Sequence, residues 1–461
     1  MKILCLPGRW LVVKTILQLK WVYAQVVLCF LSFPLLGIYM GPPVTISQDP
    51  NGGVSPIAFT RNSATAIAVF RKLGPSTSLQ ATMYSGGSWG SPIELGLSTS
   101  YTEDFSVDMN NGGSAIAVWS SVESGGEVVR YSAYNPITYL WSIDQPLSEV
   151  DMVSPVPAVA LNSSNNALAC WSQHVPGTPY EVAMATFYSA ALGEWSAPQA
   201  ISPATEGAER IGLAFNDSGD AVAAWTAYQD TATVIRAAQF HSGVWSPSTV
   251  ISSPLKGSDD VQVMIDTLGN AVVVWTTIGP GTGLVFESST LASGVWSSPA
   301  IVVSEISGGN FSFVMNSAGQ GAIGWETLEG GYWVSRAKFF SGGVWSSPQT
   351  ISSSVENASN MRLMINNLNQ VAAIWTANSN STEIAVNTAG TWCAPYSLSC
   401  CCPCFKNHSV SMNDIGDILV VLDQLSATGS TVCAMSGTIM KRIPIKRNLG
   451  SYQLRKIPWP A

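Results

Sequence analysis

The sequence predicts an all-β chain folded as a β-propeller of eight four-stranded blades, each about 50 residues long. Three observations carry that prediction. Apolar runs ending in a large apolar residue recur at Phe70, Trp119, Trp171, Trp225, Trp275, Trp325, Trp375 and Leu422, in steps of 49, 52, 54, 50, 50, 50 and 47 residues. A second tryptophan, mostly in a G-x-W-S-x-P setting, follows 17–24 residues later at positions 89, 141, 195, 245, 296, 345 and 392. Only 11% of the 461 residues are charged, and no long 3.6-residue apolar period runs between 41 and the C-terminus. A period near 50 residues with four short strands per unit marks a propeller blade.

Each position in the unit has a physical task. The first strand ends in an Asx residue nine before the first landmark: Asn110, Asn162, Asn216, Asp266, Asn316, Asn366 and Asn413, with Arg61 departing. Three residues later stands Gly or Asn (Gly113, Asn165, Gly219, Gly269, Gly319, Asn369, Gly416). That is turn chemistry: the Asx side chain closes a local hydrogen bond, and Gly or Asn accepts positive φ. The second strand ends on the first landmark aromatic, which fills the wedge between blades. A third strand follows, and a Gly, usually two before the second Trp, turns the chain into the fourth.

Closure sets the blade count. No Trp-marked fourth strand follows Leu422, yet Pro43-Val-Thr-Ile-Ser47 matches the fourth-strand ending Pro348-Gln-Thr-Ile-Ser352. The N-terminal strand is therefore expected beside Thr431–Met435, completing the last blade and removing two open edges.

The chain divides into residues 1–40, a propeller at 41–440, and a basic tail at 441–461. Residues 1–40 carry four basic residues and the tail six, neither with an acid; the middle holds 11 basic against all 29 acidic residues, a net charge of −18. So acidic a body repels phosphate backbones and excludes nucleic acid as a partner. Trp21–Met40 is a run of twenty uncharged residues after a cationic start, read as a cleaved signal peptide or an uncleaved membrane anchor. Either places the propeller outside the cytoplasm, as a secreted, periplasmic or cell-surface monomer that touches membrane only through that segment.

Runs such as Phe215-Asn-Asp-Ser-Gly-Asp-Ala-Val-Ala-Ala-Trp225 and Ile265-Asp-Thr-Leu-Gly-Asn-Ala-Val-Val-Val-Trp275 resemble the D-x-x-G-N-A-x-A-V-W repeats of bacterial secreted propeller proteins. The resemblance covers about 43–436 and implies fold rather than activity. The sialidase Asp-box does not match, because its glycine stands three residues before the Trp and here it stands six before.

No catalytic constellation, cofactor motif or metal-ligand spacing stands out. The histidines, His174, His241 and His408, fall in different blades and read as surface or loop residues. Arg130, Arg236 and Arg336 each lie eleven residues after a landmark Trp, one outer position repeated. The acids of Asn216–Asp220 and Asn413–Asp417 are too few for calcium and read as turns. The repeat breaks at Cys393, Cys400, Cys401, Cys402 and Cys404, with Cys433 in the next blade. An exported chain favours disulfides there, with free thiols or a metal site as alternatives.

Function is expected on variable loops over a rigid frame, on the face carrying the blade crossovers and the second-to-third-strand hairpins. Its rim candidates are Arg71, Glu123, His174, Asp230, Glu326, Glu329 and Asp423. The leading expectation is a non-catalytic module that binds a protein or glycan. The alternative is a glycan-active hydrolase or lyase, which needs two carboxylates about 5–9.5 Å apart.

Overall fold

The computed structural model describes residues 37–440 apart from 48–52, 63–64, 74–76, 98–104, 152–155, 230–231, 255, 280–282, 380, 399–404 and 427–428. Eight antiparallel sheets form a ring, and residues 38–439 make one compact unit. Blade 4 shows the pattern. Gly207–Phe215 pairs with Ala221–Gln229, which pairs with Ala232–His241. The outer strand comes in two short pieces, Val244–Trp245 and Thr249–Val250, both on the third strand. The first strands of blades 1 to 8 begin at Gly53, Phe105, Ala158, Gly207, Ser258, Phe311, Ala358 and Phe405.

Apolar wedges between blades hold the ring. Trp119, Trp171, Trp225, Trp275 and Trp375 are fully buried, the first four against the preceding blade; Trp225, for example, packs on Cys170, Ala183 and Ala185 of blade 3. Burying 150–250 Å² per indole contributes about 4–6 kcal/mol. The second tryptophans stay half-buried and pack across the hairpin, as in Phe240–Trp245 with centroids 5.2 Å apart. The Ser after the Trp is explained by its hydroxyl, which accepts a third-strand N–H (Gln239 N to Ser246 Oγ, 3.1 Å). Gly two before the Trp has positive φ, as at Gly243 (86°), where a side chain would be strained.

The Asx turns form as expected. Asn216 Oδ1 accepts from Asp220 N at 2.9 Å, and Gly219 N reaches Asn216 O at 3.2 Å. Gly219 sits at φ 90°, and Asn165 and Asn369 take the same left-handed region at 64° and 57°.

The ring closes through the N-terminal strand. Val44 pairs with Ala434 and Thr45 with Cys433. Ile46 N donates to Val432 O at 2.8 Å, and Ser47 Oγ accepts from Val432 N at 2.9 Å. Gly37–Met40 also pairs with Gly429–Met440, so blade 8 takes up the last four residues of the uncharged run as well.

Candidate functional site

Two repeat positions mark the crossover end of each blade. The first is the residue directly after each landmark. It is a hydroxyl in five blades, and in three of them it reaches the next blade: Ser172 Oγ to Ala208 O at 2.7 Å, Thr226 Oγ1 to Asp259 Oδ1 at 3.1 Å, Thr276 Oγ1 to Gly309 O at 3.1 Å. In the other three blades it is Arg71, Glu326 or Asp423. Three rim candidates are thus one site in three blades.

The second position stands thirteen residues before each landmark, on the first strand. Ser106, Gln262, Ser312 and Ser409 pair there with the residue preceding the landmark. Each accepts an N–H from the next blade: Val159 (3.3 Å), Phe313 (2.8 Å), Leu363 (3.0 Å) and Ala58 (3.3 Å). Ile57, Ala158 and Gly212 hold the place in blades 1, 3 and 4, and Arg362 in blade 7.

Just before this position several first strands carry a β-bulge, between Glu209 and Gly212, Asp259 and Gln262, and Ser359 and Arg362. The bulges put Arg210, Asp260 and Asn360 at φ 50°, 51° and 57°. Positive φ at non-glycine residues is costly and gathers at functional sites. These three border one cavity of about 490 Å³ over blades 4 to 7, with Gln262, Asn310, Glu326 and Arg362 completing its polar lining, a size suited to a small ligand.

The charges there are largely engaged with one another. Arg210 is paired with Asp260 and lies 3.5 Å from Asp259. Glu326 Oε1 accepts from Met361 N at 2.5 Å. Burial pushes the Glu326 carboxyl up, while that N–H and Arg362 pull it back. Behind Arg362 lies His408, 5% exposed, where neither ring nitrogen makes a well-formed hydrogen bond. Burial first and Arg362 second lower its pKa to about 4, against the pull of nearby backbone groups of Asn360 and Ile374. The expectation of a surface or loop histidine is corrected here: the imidazole is neutral and packed between blades.

The other candidates do not converge. Arg71 is 1% exposed, with Nη2 3.5 Å from Ser55 Oγ, and is no rim residue. Asp423, also 1% exposed, accepts from Asn407 N and Nδ2, both at 2.6 Å. Glu123 and Glu329, each four after a landmark, pair with Arg130 (2.5 Å) and Arg336 (2.6 Å) on the adjoining strands. Arg236 is likewise held, by Glu206 at 2.7 Å. His174 is exposed at a strand end, its N–H on Asp151. Asp230 lies outside the described residues, as do Cys400, Cys401, Cys402 and Cys404. Cys393, expected in a bridge, is a buried free thiol accepting from Val386 N at 3.2 Å. Cys433 is buried with Sγ 3.7 Å from Thr45 Oγ1. Among the described residues no group of three or more His, Cys, Asp or Glu could hold a metal ion.

Of the cavity's polar residues, only Glu326 is a rim candidate of the sequence. Arg210, Asp260, Gln262, Asn360 and Arg362 have no landmark of their own, because the first strands carry none. The constant thirteen-residue offset is the signal that finds Arg362.

No family model matches the chain, and no curated protein does. Solved structures are similar in architecture. The polysaccharide lyase Uly1 aligns at 10% identity over 73% of this chain and 90% of that one, with a TM-score of 0.49. An ulvan lyase of polysaccharide lyase family PL25 aligns at 9% identity over 86% and 95%, TM-score 0.46. A protein of unknown function from Dyadobacter fermentans aligns at 9% over 87% and 99%, TM-score 0.42. Likeness this distant carries no activity across.

Proposed function

We propose that this propeller is a non-catalytic binding module, exported by its N-terminal segment, that takes a hydrophilic, oligosaccharide-like ligand in the cavity over blades 4 to 7. The observation that carries the reading is the cavity's lining. Amide, guanidinium and carboxyl groups at Asn310, Asn360, Arg210, Arg362 and Asp260 surround about 490 Å³, a set that hydrogen-bonds hydroxyls without reacting with them. Apart from Glu326, the candidate acids are otherwise engaged: Asp260 with Arg210, Glu123 and Glu329 in ion pairs, Asp423 on Asn407. Asn310 is exposed at the cavity edge, so Asn310→Trp narrows it without touching the core. A glycan array followed by titration calorimetry on the full chain should find a ligand whose binding Asn310→Trp abolishes. Undiminished binding by that variant would place the site elsewhere.

A glycan-cleaving enzyme is the second reading, favoured by Glu326. Its desolvated carboxyl is held protonated to higher pH than usual, as a general acid requires. New chain ends appearing on incubation with a bound glycan, and vanishing in Glu326→Gln, would establish it over the first.

A further inference from the structure

We infer that the cavity ligand is an anionic saccharide whose carboxylate or sulfate is held by Arg362; this rests on the oligosaccharide reading above and names the ligand chemistry that reading leaves open. The argument starts from the repeat. Thirteen residues before the landmark, four blades place an acceptor that satisfies an N–H of the next blade, and three place an apolar or small residue. Blade 7 alone places a cation. A guanidinium has five donors and no acceptor, so Arg362 forgoes the inter-blade bond its counterparts make. Nor does it gain an ion pair among the described residues, although it is exposed and lines the cavity.

Its neighbours leave the charge available. Glu326 feels the Arg362 charge but directs an oxygen to Met361 N and forms no ion pair with the guanidinium among the described residues. His408, kept neutral by burial first and Arg362 second, contributes no charge of its own. The other cavity arginine, Arg210, is taken by Asp259 and Asp260. Among the described residues Arg362 is therefore the cavity cation left to meet an anion, and its planar fork suits carboxylate or sulfate. The Arg210–Asp260 pair and Asn310, on the blade 4 to 6 side, then face the sugar hydroxyls.

Titration calorimetry on the full chain tests this with three probes: tetragalacturonate, its neutral methyl ester, and a sulfated galactose tetramer. One or both charged tetramers should bind at least about tenfold tighter than the ester, and the better of the two identifies the anion. Arg362→Gln should remove that preference with an unchanged melting temperature, since the side chain is exposed, and Arg362→Lys should keep part of it. Equal binding of ester and charged forms, or a preference that survives Arg362→Gln, overturns the inference while leaving the saccharide reading in place. No binding of any tetramer overturns both.

Discussion

The side-chain amide of Asn216 in blade 4 donates to the main-chain oxygen of Asp266 in blade 5 at 2.8 Å, while its carbonyl closes its own turn on Asp220 N. The same donation joins Asn110 to Asn162 (2.8 Å), Asn316 to Asn366 (3.3 Å) and Asn366 to Asn413 (3.1 Å). One residue type thus shapes each turn and ties its blade to the next. Asp266 lacks the donor, and in blade 5 the N–H and hydroxyl of Thr267 reach Ser317 O instead, each at 3.0 Å.

Asn216→Ala should therefore destabilise more than a turn residue ordinarily does. It leaves the Asp220 turn N–H without its partner and leaves the buried Asp266 carbonyl with only the 3.2 Å bond from Gly269 N, at a cost of about 2 kcal/mol. Asn367→Ala removes exposed bonds to Asp414 and Ser317 and should cost less than about 1 kcal/mol. Equal shifts in urea midpoint for the two variants would contradict an inter-blade role for Asn216.

The sequence disclosed whatever repeats at fixed spacing, because wedge-filling aromatics and positive-φ turns tolerate few residue types. That covers the blade order, the Asx turns and the closing strand. It disclosed only half of Asn216, since a turn and an inter-blade bond select the same residue. Charge on predicted loops misled for Arg71 and Asp423: the position after the landmark belongs to the strand, and the side chain turns between blades. Arg210, Asp260 and Asn360 were hidden for another reason. A bulge shifts which side of the strand faces the cavity, and the alternation that reveals facing is lost there.

The closing strand should carry stability out of proportion to its length. Ile46 is 3% exposed and packs on Ala58, Phe70, Leu419 and Val421. Ile46→Ala should cost about 2–4 kcal/mol, and deleting 37–47 should expose the outer edge of Gly429–Met440 and promote association. A deletion variant with the parent's melting temperature and a monomeric elution profile would show that the seam does not depend on these strands.

Asp108, on the first strand of blade 2, should make stability fall as pH rises. Burial lifts its pKa from 3.8 to about 6, against the N–H groups of Leu161 and Met109 that its oxygens accept. The folded state thus binds the proton more tightly than the unfolded one. Stability from this group is full below pH 4 and is lost as pH rises from about 4 to about 6, by at most about 3 kcal/mol. Asp108→Asn should flatten that part of the profile. Denaturant midpoints measured from pH 3.5 to 7.5 decide it, and parallel curves for the two proteins would refute the assignment.

The cysteines should separate into two classes. Cys170 is fully buried, and burial raises its thiol pKa; Cys393 is buried too, its thiol raised by desolvation although the Val386 N–H opposes this. Thiolate is the reacting form, so both should resist alkylation in the folded protein and react once it is denatured. Cys400, Cys401, Cys402 and Cys404 precede the first strand of blade 8, whose remaining strands come from both chain ends. A bridge from that cluster constrains the open chain at the seam, by about 2–4 kcal/mol. In protein purified from an oxidising compartment, at least one of the four should stay unalkylated in denaturant until reductant is added. Mass spectrometry showing all four alkylated without reductant sinks the disulfide, and stoichiometric zinc in the native protein would point to metal ligation instead.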